Sequence, residues 1–338
     1  MRIGRNALLR ATLGIGISLL ALWILLRSVD VGAAVEVLRG ADLRWVALMV
    51  VTSLIDVGAR GARWRWLLRP IKVVPYRRML GYTYIGYLAN NVLPARLGEL
   101  VRSHAAGEGE GLSRTTVLGT VVVERIVDTV IVVGLAALSV VILSVRGVMT
   151  SAVLLGAAFV ALLVIGLGVA MALHRLPGAE RVAAFMRRWP RVVDLAARLR
   201  EGLAVAGKPG TLLGAVVFSA IAWGASILTF LAAGQAIGIE LSLAQGALLT
   251  SGIALAMIVP SGPGYLGTFE LTAVGILTTF GIDPDSAFAM ALLAHAMNLI
   301  VTSVGGVIAA LRMGVGLGTG SSDPTDEMGT EGPVVATR

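Results

Sequence analysis

Apolar runs of roughly 20 residues, the length that crosses a hydrocarbon core, recur along the chain. They predict full membrane spans at about 8–26, 43–57, 116–143, 151–173, 211–236 and 286–311. Two further apolar stretches, 80–93 and 246–280, are interrupted by Pro94 and by Pro260 and Pro263. Proline breaks a helix by removing a donor and clashing with the preceding turn, so each stretch is expected to bend back on itself.

The placement of arginine orients these segments. Arg2, Arg5 and Arg10 assign the N-terminus to the cytoplasm, and the first apolar run is expected to be a retained span rather than a cleaved signal. Residues 28–44 mix acids with Arg39 and Arg44, which suits the outer side. Residues 60–78 carry Arg60, Arg63, Arg65, Arg69, Lys72, Arg77 and Arg78 without an acid, so they are expected to form a cytoplasmic loop. The basic stretch 174–210 reads as cytoplasmic too, either a helix lying on the anionic leaflet or a solvated connector. With both ends inside, 80–106 enters and returns as a re-entrant hairpin with its tip near residues 90–94. The same logic makes 246–280 a hairpin entering from outside, with its tip near 260–263.

The expected fold class is therefore an all-α polytopic membrane protein. It has about six full spans and two re-entrant hairpins in two inverted halves, about 1–145 and 146–312. Inverted repeats with broken elements at mid-membrane are common among transporters. Residues 313–338 are rich in Gly, Ser, Thr, Asp and Glu and read as a disordered cytoplasmic tail.

Composition agrees. Of the 338 residues 57% are hydrophobic and only 14% charged, and mean hydropathy is +0.86, which excludes an ordinary soluble enzyme. The net charge of +8 fits basic loops beside anionic lipid rather than a nucleic-acid partner. Cysteine is absent and His104, His174 and His295 are scattered, so no metal site, cofactor or thiol chemistry is expected.

Chemistry is expected where charge lies at membrane depth, because a central Asp, Lys or Arg costs about 2.5–3.5 kcal/mol to insert. The first group is Asn90, Pro94, Arg96, Gly98, Glu99 and Arg102. Arg96 and Arg102 offer forked donors suited to phosphate, and the asparagines are placed to cap the hairpin. Alternatively Glu99 and Arg102, three positions apart, neutralise each other. The second group is Glu124, Arg125 and Asp128, with both acids on one helix face. A substrate or proton role and a buried structural network with the first hairpin are both open for it. The third is Pro263, Gly264, Gly267 and Glu270, where a helix opening near Gly267 would aim amides at an anion. Glu270 would titrate or pair with Arg96 or Arg125; a plain kinked turn is the structural alternative. Asp56, His295 and Asn298 are weaker candidates, and 107–111 (Gly-Glu-Gly-Glu-Gly) reads as a loop.

In order, these motifs read N-x-x-P-x-R-x-G-E-x-x-R from Asn90, E-R-x-x-D from Glu124 and P-G-x-L-G-x-F-E from Pro263. With Arg63-Trp64-Arg65-Trp66-Leu67-Leu68 they resemble the lysylphosphatidylglycerol synthase transmembrane-region, or flippase-like, family over about residues 5–312. The resemblance implies a lipid translocator without the family's soluble aminoacyltransferase domain, and not an enzyme. Its expected partners are a membrane phospholipid or lipid-linked glycan, and a membrane enzyme. The rival expectation is a non-transporting scaffold or regulator of a cell-envelope enzyme.

Overall fold

The computed structural model describes residues 5–93, 97–145, 200–259 and 261–314, with single positions between 151 and 198. Pro94, Arg96, Pro260, most of the predicted span 151–173, most of the basic stretch 174–210 and the tail from residue 315 lie outside them.

Ten α-helices are described from end to end. They are α1 (Arg5–Leu26), α2 (Val31–Arg39), α3 (Leu43–Leu68), α4 (Tyr76–Val92), α5 (Gly98–Glu110), α6 (Arg114–Ile142), α7 (Pro209–Ala236), α8 (Leu243–Ala256), α9 (Thr268–Thr278) and α10 (Pro284–Met313). Four of them, α3, α6, α7 and α10, are long and apolar enough to cross a membrane. A fifth candidate is α1 with α2, bent by 82° at the break. The protein is thus a polytopic α-helical membrane protein. Side chains such as Leu138, Val141, Leu213 and Leu311 are exposed, as expected of a surface solvated by lipid.

Side-chain caps set the boundaries. Asp30 Oδ1 accepts from the amides of Gly32 and Ala33 to start α2. Ser242 and Gln245 form a reciprocal box that starts α8. Asp283 accepts from the Ser286 amide and Pro284 takes the first position of α10, where a missing N–H costs nothing.

Two parts of the chain differ from the sequence reading. Helix α3 does not stop at residue 57 but continues to Leu68, so Arg60 and Arg63 are buried helix positions and not cytoplasmic loop. Residues 107–110 are the last turn of α5, closed by Gly111 at φ 63°, and Glu110 is buried against Arg78 and Tyr82. In both places charges that read as loop find buried partners from elsewhere in the chain, which local patterning does not reveal.

The order long helix, helical hairpin, long helix occurs twice: α3, α4–α5, α6 and then α7, α8–α9, α10. Helix packing repeats with it. α3 packs on α7; α4 on α10, as α8 on α6; α3 on α10, as α7 on α6. Within units, α3–α4, α4–α5, α5–α6 and α3–α6 are matched by α7–α8, α8–α9, α9–α10 and α7–α10. Exchanging the two units leaves this pattern unchanged.

The hairpin tips meet. A short 3-10 turn, Pro263–Tyr265, packs against α4. A Cβ on Gly264 would lie 3.6 Å from the Asn91 carbonyl oxygen. The second tip is also held by α1, where Ser18 Oγ accepts from the Gly262 amide at 2.8 Å.

Candidate functional site

Asp56, Arg60 and Arg63 lie at i, i+4 and i+7 of α3 and so share one face. Facing them, Glu124 and Asp128 lie one turn apart on α6. Arg63, fully buried, donates to both carboxylates: Nη1 and Nη2 to the two oxygens of Asp128, and Nη2 to Glu124 Oε1 at 2.9 Å. Its Nη1 also reaches Ser219 Oγ of α7 at 2.7 Å. Arg60 Nε donates to Asp56 at 2.6 Å and its Nη1 stands 3.7 Å from Asp128.

The first hairpin adds Arg102, whose Nη2 donates to Glu124 Oε1 at 3.0 Å. Arg125 reaches Glu124 at 2.6 Å, Asp128 at 3.4 Å and Glu99 at 4.0 Å. These contacts join four arginines (60, 63, 102 and 125) and four carboxylates (56, 99, 124 and 128) into one network. Its formal charge is zero, which is what allows it to be buried: an unmatched charge would keep a desolvation cost of several kcal/mol. Trp223 Nε1 donates to Asp128 at 3.0 Å, and the Arg60 and Arg102 guanidinium groups lie over the rings of Trp223 and Trp64.

A cavity of about 260 Å³ opens beside this network, lined by all eight helices from α3 to α10. The first unit contributes Asp56, Arg60, Glu99, Arg102, Arg125 and Asp128 to its walls. The second contributes apolar groups, including Ile253, Leu255, Met257, Phe269 and Leu299, interspersed with polar ones such as Ser226, Thr229, Thr250, His295 and Asn298. The lining is therefore amphipathic, as a site for a polar group attached to an apolar chain requires.

The predicted site residues fall into distinct places. Asn90 caps the returning limb, its Oδ1 accepting from the Gly98 amide at 2.7 Å. Gly98 is needed there because a Cβ would collide with Gly86 and Asn90. Glu99, Arg102, Arg125 and Asp128 line the cavity, and Glu124 lies behind them. Arg102 pairs with Glu124 across to α6 rather than with Glu99 on its own helix, so the mutual neutralisation of Glu99 and Arg102 is replaced by pairing between helices. Pro94 and Arg96 lie outside the described residues.

The third group is placed as expected and bonded differently. Pro263 opens the 3-10 turn, and Gly264 and Gly267 take φ of 62° and 82°, which favour glycine. Glu270 accepts from the Gly267 amide at 2.7 Å, so the start of α9 carries its own anion. Its other oxygen meets His295 Nδ1 at 2.5 Å, and Phe269 stacks on that imidazole at 4.2 Å. The partner of Glu270 is thus His295 of α10, not Arg125. Asp56, His295 and Asn298, the weaker candidates, all line the cavity.

Arg60, Arg63, Trp223 and Tyr87 were not legible as site residues. The signal for the two arginines is the i, i+4, i+7 register of Asp56, Arg60 and Arg63, which the basic run from 60 to 78 masks because its composition is that of a loop.

The sequence matches the family described as "Lysylphosphatidylglycerol synthase TM region" over residues 11–306. The chain belongs to that family. Among relatives, "Glycosyltransferase AglD" of Haloferax volcanii is 27% identical over 90% of this chain and 55% of its own length. The chain thus spans about half of that relative. "UPF0104 membrane protein PH1989" of Pyrococcus horikoshii is 25% identical over 88% of this chain and 94% of its own length. The network and both hairpins lie inside the matched region.

Proposed function

We propose that this family member is a lipid translocator of the cytoplasmic membrane. It moves an anionic or amphiphilic phospholipid or lipid-linked headgroup between leaflets, with both termini cytoplasmic and no covalent step. The observation that carries the reading is the amphipathic cavity, with guanidinium and carboxylate groups on one unit's wall and mixed apolar and polar groups on the other's, built by two units whose packing is exchangeable. With the orientation drawn from arginine placement the two units are inverted, an arrangement suited to alternating access. Arg102 and Arg125 would receive phosphate by loosening their hold on Glu124, and Glu99 would balance the charge. A relative named for glycosyl transfer makes a lipid-linked glycan one headgroup to test.

The purified protein in liposomes, with fluorescent phosphatidylglycerol and phosphatidylcholine and a leaflet-selective quencher, tests this with and without a pH gradient. Protein-dependent loss of the protected signal, abolished by Arg125→Gln and Glu99→Gln in folded protein, is the expected result. No translocation of any lipid by folded wild type would overturn it.

The second reading is a scaffold or regulator of a membrane enzyme of envelope lipid or glycan synthesis. It is favoured by one observation: each arginine of the network already has carboxylate partners. Co-purification of a lipid- or glycan-modifying enzyme, unaffected by Arg125→Gln, supports it.

A further inference from the structure

Among the described residues the arginines and carboxylates of the network are matched four against four, so as a set they do not select a headgroup by net charge. What remains open is a set of polar groups outside that network. The Tyr87 hydroxyl, the Asn298 carboxamide, Asn90 Nδ2 and His295 Nε2 have no hydrogen-bond partner among the described residues, and all four side chains line the cavity. They come from both units: Tyr87 and Asn90 from α4, His295 and Asn298 from α10, two helices that pack on each other. His295 is buried and is held by its stack on Phe269 and its bond to Glu270. Asn90 is fixed by its cap on Gly98.

We propose that Tyr87, Asn90, His295 and Asn298 form a hydroxyl-reading set, and that the headgroup is a phosphodiester carrying a polyol or sugar. The inference deepens the reading above, since it rests on a lipid headgroup entering the cavity. The chemistry is one of matched valence. Asn90 Nδ2 adds donors and His295 Nε2 one further polar atom, and the Tyr87 phenol and the Asn298 carboxamide present donors and acceptors together. Headgroup hydroxyls do the same, whereas an ammonium only donates and a bare phosphate diester only accepts. A cavity polar group that loses water to a headgroup lacking hydroxyls is left unsatisfied, so the set discriminates against such lipids as well as favouring polyols. The phosphate would take its place at Arg102 and Arg125, which line the same cavity from α5 and α6.

The test uses phosphatidylethanol, phosphatidylglycerol and phosphatidylinositol. These lipids carry the same single negative charge and an increasing number of headgroup hydroxyls. Binding of each to the purified full chain in phosphatidylcholine nanodiscs is measured by competition against one fluorescent phosphatidylglycerol. Affinity is expected to rise at least about tenfold along the series, with roughly three- to tenfold lost from the phosphatidylinositol preference in each of Tyr87→Phe and Asn298→Ala. Equal binding of the three lipids overturns the inference. So does an unchanged preference in both variants, or no binding of any of them by a protein that unfolds at its usual temperature. Translocation is not part of the readout. Graded binding without translocation removes the transport reading and keeps this site; translocation without grading removes this site alone.

Discussion

Arg63 of α3 and Asp128 of α6 form a two-pronged pair, and the Arg63 side chain has no solvent exposure. Glu124, one turn away, accepts from the same guanidinium. One arginine thus bridges two carboxylates where water does not reach, so its loss is felt by both helices. Arg63→Ala is expected to cost about 3–5 kcal/mol, the range for removing one member of a buried pair. Arg63→Lys rescues little, because a point charge does not reproduce the fork. Thermal unfolding in detergent and the monodisperse yield check this. An Arg63→Ala protein that unfolds at the wild-type temperature contradicts it.

Arg125 occupies the opposite situation in the same network. Its side chain is 44% exposed, and Glu124 and Asp128 keep Arg63 when it is removed. Arg125→Gln is expected to cost about 1 kcal/mol or less in stability while reducing lipid translocation at least about tenfold, since 1.4 kcal/mol of lost headgroup affinity is a factor of ten. Comparing unfolding temperature with translocation rate separates the two effects.

The second hairpin separates backbone strain from close approach. Gly267 and Gly238 both have positive φ, 82° and 77°. A Cβ on Gly238 meets nothing within 4 Å, whereas one on Gly267 would lie 2.6 Å from the Ser18 carbonyl oxygen of α1. Gly238→Ala is expected to cost about 1–2 kcal/mol from conformation alone. Gly267→Ala costs more, because α1 must also be displaced. Equal unfolding shifts for the two variants would show that α1 does not rest on this tip.

Asp283 gives a pH dependence with a definite sign. It stands outside the spans, and its bond with the Ser286 amide holds its carboxyl below the usual carboxylate range. A depressed folded-state value means that the cap stabilises above the ordinary carboxylate pKa and loses its effect as pH falls through the lowered one. Asp283→Ala is therefore expected to destabilise by about 1 kcal/mol at neutral pH. The gap from wild type narrows on acidification, as read from unfolding temperatures across a pH series.

The sequence by itself determined that the chain is helical and membrane-spanning, that two stretches turn back near Pro94 and Pro263, and which families of residues bear charge. These features are local. Apolar length, proline breaks and the energetic cost of charge in lipid act on neighbouring residues, so they are written in neighbouring letters. The cap from Asn90 to Gly98 spans a few residues and was likewise within reach of the sequence, whereas the cap from Glu270 to Gly267, equally local, was not read there.

Only the tertiary structure decided who pairs with whom. A run of basic residues from 60 to 78 has the composition of a cytoplasmic loop, yet Arg60 and Arg63 continue α3 because acids on α6 lie across from them. His295 meets Glu270 because α9 and α10 pack together, and Arg102 leaves Glu99 for Glu124 because α5 lies on α6. Burial makes a charge intolerable alone and stable when matched, and the match comes from residues far apart in sequence. That is why the network, and the cavity it borders, exists only in the folded chain.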